Sequence, residues 1–199
     1  MYMAHQLQPL PFAADSLEGI SARTTEIHHD KLYAGYVNKR NEVEEKIGEA
    51  DLSAANQIYS VWRGLKEGET FSANGMILHE LFFSVLGGDG DSAGTSIQEA
   101  ITRQWGSWER FIEEFTATAM SARGWAILAY DPSDRKLHIF AADSQNQGGV
   151  WGAVPLLPLD VYEHAYVIDF GADRKSYIVA FFKNVRWGGV EERYLAAVR

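Results

Sequence analysis

Apolar positions along the chain follow two different periods. In the proline-free stretch from about 16 to 48, Ile27, Leu32, Tyr36, Val43 and Ile47 recur at helical spacings, which predicts one long helix. Asp15, with Glu18 three residues on, reads as its cap, and Gly48 as its stop. Before it, residues 1–14 read as irregular, with Pro9 and Pro11 holding an extended lead-in. The same period predicts a second helix over roughly 52–66 and a third over 69–86, the latter centred on MILHELFFSVL. The run GGDGDSAGT at 87–95 is the sharpest composition break in the chain. After it, SIQEAITRQWG and SWERFIEEFTATAMSA predict two amphipathic helices separated by Gly106, with Ser107 as a cap.

The period then shortens. WAILAYD and KLHIFAA flank PSDR, the pattern of a hairpin, and VPLLPLD at 154–160 reads as a third short strand. EHAYVID, RKSYIVAFFKNV and VEERYLAAV return to helical spacing. Helices followed by a small antiparallel sheet with further helices around it define an α+β chain. The break at 87–95 divides it into an N-terminal helical part, 1–88, and a C-terminal α/β part, 89–199.

Composition narrows the chemistry. With 199 residues, 46% of them hydrophobic, the chain can bury a substantial core. A net charge of −9 argues against nucleic-acid partners and against attraction to anionic membranes. The N-terminal residues show no export signal, and no run approaches the ~18 apolar residues of a membrane span, so a cytoplasmic protein is expected. Cysteine is absent, so any metal must be held by nitrogen and oxygen donors.

Six histidines are available: His5, His28, His29, His79, His138 and His164. His79 lies in the most apolar helical stretch, where a satisfied core histidine is the commoner outcome. Asp160 ends a strand, and His164 follows four residues later at the start of helical sequence. Taken together, His28, His79, Asp160 and His164 offer three imidazoles and one carboxylate from separate elements. Such a set suits a first-row divalent or trivalent ion with a position left open.

The stretch DVYEHAY resembles the DVWEHAY signature of the iron/manganese superoxide dismutase family. LPFAADSLEGISARTTEIHHDKLYAGYVN, ANGMILHELFF, ARGWAILAYD and YIVAFFKNVRW extend the resemblance over nearly the whole chain. It implies an N-terminal helical hairpin followed by an α/β domain with a three-stranded antiparallel sheet. It also implies dismutation of superoxide to dioxygen and hydrogen peroxide by one manganese or iron ion per subunit of a homodimer. His28, His79, Asp160 and His164 match the family's metal ligands. Tyr36 matches a tyrosine, and Gln147 or the neighbouring Gln145 a glutamine, that hydrogen-bond the metal-bound solvent. Trp125 matches a pocket-wall tryptophan, Arg174 an arginine near the substrate funnel, and Glu163 a carboxylate that reaches the partner subunit's metal-bound histidine.

Gly75 stands where the iron-associated branch carries its glutamine, so the resemblance favours manganese and a glutamine from the sheet side, with Gln147 preferred over Gln145. Leu32 and Val167 replace the usual histidine and tyrosine of a contact across the dimer interface, both becoming apolar together. Met76, Leu78, Phe83, Tyr162 and Pro158 are further departures around the ligands. They motivate two alternatives: a binding or structural protein on this fold with altered or lost redox activity, and different non-haem metal chemistry.

Overall fold

The computed structural model describes residues 4–92 and 94–199. The first helix, α1 (Ala22–Ile27), passes through a π-helical segment (His28–Tyr33) directly into α2 (Ala34–Glu49). It starts later than the cap at Asp15 predicts: Ser21 accepts from the Thr24 amide and is the true N-cap. Two features override the weaker upstream signal. Gly19 turns the chain at φ +79°, and Asn184 grips Glu18, accepting from its N–H at 2.7 Å and donating to its carbonyl at 2.9 Å.

The expected second and third helices are one. Leu52–Ala54 makes only a 3₁₀ turn, and Ser60 then caps α3 (Val61–Ser84), a continuous helix of 24 residues. Asn56 carries the intervening turn, its side chain accepting from the amides of Ile58 and Tyr59, which holds this segment out of the helix. α2 and α3 run antiparallel. Position 68 faces Val43, while position 75, one helix stretch further on, faces Tyr36, earlier in the chain.

Beyond α4 (Ser96–Trp105) and α5 (Trp108–Ser121), the strands β1 (Trp125–Asp131), β2 (Lys136–Ala142) and β3 (Val154–Asp160) form an antiparallel sheet ordered β2-β1-β3. β1 is central and buried on both faces along nearly its whole length. β3 is an edge strand, which accommodates Pro155 and Pro158, and its register with β1 shifts at Leu128/Ala129. At the other end of the pair, Trp125 sits opposite Asp160. A 3₁₀ turn (Glu163–Ala165), α6 (Val167–Phe170), α7 (Arg174–Lys183) and α8 (Trp187–Ala197) complete the chain. The hairpin and the sheet share one core in which Phe82, Trp125, Leu157 and Phe181 are all buried. No helix among the described residues is long and apolar enough to cross a membrane.

Candidate metal centre

Four elements converge at the join between the helical hairpin and the sheet. The π-helical segment supplies His28, α3 supplies His79, the end of β3 supplies Asp160, and the following 3₁₀ turn supplies His164. One donor atom from each lies within 4.8 Å of all the others. Asp160 Oδ2 is the hub: the Nε2 atoms of His28, His164 and His79 stand 3.2, 3.2 and 3.5 Å from it.

The surroundings orient each group. The Nδ1–H of His79 donates to the Gly75 carbonyl one turn back at 2.6 Å, which leaves Nε2 as the bare nitrogen. That Nε2 is fully buried and has no hydrogen-bond partner, since its geometry towards Asp160 fails as a hydrogen bond. Asp160 is wholly buried. Its Oδ1 accepts from the Tyr162 amide at 2.9 Å, and its carbonyl accepts from the Tyr177 hydroxyl at 2.9 Å. Of the four, only His164 reaches solvent, with 28% of its side chain exposed.

Electrostatics separate the groups by protonation. Burial alone would raise the Asp160 carboxyl, but contacts from His164 and His28 outweigh it and hold the group well below the usual carboxylate range. Burial pushes His28 down and His79 down to about 3, with the neighbouring imidazole adding to the fall at His79. For His164, burial is outweighed by the Asp160 hydrogen bond and charge, so its pKa rises. One carboxylate therefore faces two imidazoles that stay neutral, and in His79 the Gly75 bond leaves the inner nitrogen unprotonated.

An unpartnered, fully buried nitrogen beside a permanently ionised carboxylate is costly unless something occupies the space between them. A metal ion fits both requirements, because it takes the lone pairs of three imidazoles and one carboxylate oxygen at once.

A second set of side chains backs this cluster. Trp125 Nε1–H donates to Gln145 Oε1 at 2.9 Å, and Gln145 Nε2–H donates to the Tyr36 hydroxyl at 3.0 Å. Tyr36 lies 5.1 Å from His79 ring to ring, and Trp125 meets His79 edge-on at 5.1 Å. The glutamine reaching Tyr36 is therefore Gln145, which is buried. Gln147, preferred from the sequence, is exposed, and its backbone N–H donates to the Ser144 carbonyl at 3.2 Å. Space for the Tyr36 ring comes from Gly75, where an added Cβ would sit 2.3 Å from a ring carbon.

Glu163 is exposed at the start of its 3₁₀ turn and makes no bridge within the cluster. Arg174 is anchored rather than free: it donates to the carbonyls of Ala119 and Ala122 and to the Tyr166 hydroxyl, at 3.3, 2.8 and 3.2 Å. His29 and Tyr33, to which the sequence assigns no role, are both buried against the cluster's flank. The Tyr33 ring lies parallel to His79 with centroids 6.2 Å apart, and the only sequence signal for it is its position within the EIHHDKLY stretch.

Two family models match the chain: the alpha-hairpin domain of iron/manganese superoxide dismutases over residues 4–87, and the C-terminal domain of the same proteins over residues 93–193. Among curated relatives, an iron superoxide dismutase of Aquifex pyrophilus is 41% identical, with 98% of this chain and 94% of the relative aligned. A manganese superoxide dismutase of Halobacterium salinarum is 38% identical over 96% of this chain and 94% of its own length. An iron superoxide dismutase of Cupriavidus metallidurans is 36% identical over 99% of this chain and its own full length.

Proposed function

The chain belongs to the iron/manganese superoxide dismutase family, and from that premise we propose that His28, His79, Asp160 and His164 hold one manganese or iron ion per subunit. The protein is a superoxide dismutase, converting two superoxide ions and two protons into dioxygen and hydrogen peroxide. The bound metal supplies the one-electron couple that lets one superoxide be oxidised and the next reduced. The observation that carries the ligand assignment is the orphaned Nε2 of His79 next to Asp160 Oδ2.

The remaining residues divide the work. Asp160 keeps a negative charge at every working pH, which balances part of the ion's charge while leaving the centre positive enough to draw in an anion. Tyr36 stays protonated: burial raises its pKa, and Asp160 adds to the rise against the Gln145 bond. Its hydroxyl, held by Gln145, is a proton-bearing group beside the His79 ring. Trp125 and Gln145 fix that hydroxyl and close the wall, excluding bulk water. Arg174 shapes the wall near Tyr166 and adds a local positive charge. A glutamine from the sheet side, with Gly75 on α3, favours manganese over iron in this chain.

A homodimer belongs to the same reading. Glu163 is exposed, its neighbour His164 is the ligand nearest solvent, and Val167 beside them is 46% exposed. In such a dimer Glu163 reaches His164 of the partner subunit, with Leu32 and Val167 making an apolar contact in place of a polar one. The division into 1–88 and 89–199 is supported by the two family matches, which meet between residues 87 and 93. Cytoplasmic residence is the companion proposal, in keeping with a chain that uses no disulfide.

The test is elemental analysis of the purified protein alongside a superoxide assay. One manganese or iron per subunit with dismutation that disappears in His79→Ala and Asp160→Ala is expected. Full activity in both variants would refute the assignment. A descendant that has shed its redox role finds no support in a complete donor set and in relatives that are named as dismutases.

A further inference from the structure

Tyr33 and Glu80 belong to different helices of the hairpin, and each sits beside a different ligand. Tyr33 is the last residue of the π-helical segment that opens with His28, and Glu80 directly follows His79. The Tyr33 hydroxyl donates to Glu80 Oε1 at 2.8 Å and accepts from the Gln8 backbone N–H at 3.2 Å. The Tyr33 ring is 1% exposed and lies parallel to the His79 imidazole, with centroids 6.2 Å apart and planes 6° apart. His29, one turn earlier, meets the Tyr33 ring edge-on and bonds the Gln8 carbonyl through Nε2 at 2.8 Å. The lead-in segment is thus pinned at one residue by two side chains of the same widened turn.

We propose that the Tyr33–Glu80 hydrogen bond is a positioning device for the metal centre, tying the turn that carries His28 to the turn that carries His79. The inference rests on the reading of those two histidines as metal ligands. His79 has its ring rotation set within its own helix by the Gly75 carbonyl, but that bond says nothing about how far α3 stands from the π-helical segment. A π turn is wider and less well bonded than an α turn, so its ligand needs an external brace. A 2.8 Å hydrogen bond from a buried tyrosine hydroxyl to a half-buried carboxylate oxygen is directional and fixes the spacing of the two turns. The stacked Tyr33 ring adds a second constraint on the plane of His79 itself.

The experiment compares metal-loaded parent protein with Tyr33→Phe, Glu80→Ala, Glu80→Gln and the double variant Tyr33→Phe/Glu80→Ala. Two quantities are read: the rate of metal release to a chelator, and the low-temperature EPR spectrum of the bound ion. Tyr33→Phe keeps the ring and loses the bond, and should release metal about tenfold faster with an altered spectrum, the size expected for groups behind a ligand. Glu80→Ala should match it, and the double variant should be no faster than either single one, because both remove the same bond. Glu80→Gln keeps an acceptor and should stay close to the parent. Parent-like release and spectra in both single variants would overturn the proposal, and so would additive effects in the double. If Tyr33→Phe fails to fold, the Glu80→Ala and Glu80→Gln pair asks the same question. A parent that binds no iron or manganese overturns the ligand reading, whereas a metal-loaded, dismutating parent with indifferent variants overturns the tie alone.

Discussion

His79 Nε2 and Asp160 Oδ2 face each other across 3.5 Å, both wholly buried, without forming a hydrogen bond. A folded chain rarely leaves a buried nitrogen unpaired beside a buried charge, and here the backbone on both sides makes the arrangement deliberate. Gly75 turns the imidazole by its carbonyl, and the Tyr162 amide holds the other carboxylate oxygen.

Metal removal should cost stability, because the ion binds the folded state and the unfolded chain has no assembled site. At ligand concentrations about a thousandfold above Kd the gain is about 4 kcal/mol, and for a chain of this size each kcal/mol moves Tm by roughly 2–4 °C. Calorimetry of metal-loaded and chelator-stripped protein should therefore differ by about 10 °C.

In the metal-free chain, acid should be destabilising from near-neutral pH downwards. The folded-state pKa of His79 falls to about 3 and that of His28 also falls, both through burial first, so the unfolded chain takes up protons below pH 6.5 that the folded one refuses. Their contribution is complete above the unfolded pKa and is lost as pH drops towards the folded one, by about 1 kcal/mol per pH unit for each histidine. Asp160, held low in the folded state, acts in the same direction below the ordinary carboxylate range. His164, raised by Asp160, opposes them: its stabilisation is present below 6.5 and fades as pH rises through its folded value. Two lowered histidines against one raised leave a net loss, which urea titrations of stripped protein at pH 7 and pH 5 should show. His79→Leu should flatten the dependence.

Gln145 and Gln147 should behave differently despite their proximity. Gln145→Ala strands the buried Trp125 N–H and frees the Tyr36 hydroxyl, costing about 1–3 kcal/mol and lowering dismutation markedly. Gln147→Ala removes an exposed side chain and should stay within about 0.5 kcal/mol of the parent. Denaturation midpoints and a superoxide assay on both variants decide the matter.

Gly75→Ala should be the more damaging of two glycine substitutions within α3. Its Cβ would meet the Tyr36 ring at 2.3 Å and push it off Gln145, with an overpacking cost of about 1–3 kcal/mol and reduced activity. Gly64→Ala meets nothing within 4 Å and should stabilise the helix by about 0.5–1 kcal/mol. Thermal melts of the two variants should shift in opposite directions.

What the sequence reveals best is what depends on local period and on separate, chemically unusual residues. The hairpin at PSDR, the strand ending in Asp160 and the four residues proposed as metal donors all belong to this class. Boundaries set by distant partners were hidden: the hold of Asn184 on Glu18 delays α1, and an Asn56 turn moves the start of α3 to Val61. The choice between Gln145 and Gln147 depends on how a short loop folds back over Trp125, which spacing cannot report. Tyr33 and Glu80 lie 47 residues apart, so their bond exists only once the hairpin has closed.

Anomalous diffraction at the manganese and iron edges addresses the central claim most directly. One peak per subunit, enclosed by Nε2 of His28, His79 and His164 and by an Asp160 carboxylate oxygen, is the predicted result. An ion bound elsewhere in a fully active protein, with His79 Nε2 left without it, would contradict the account.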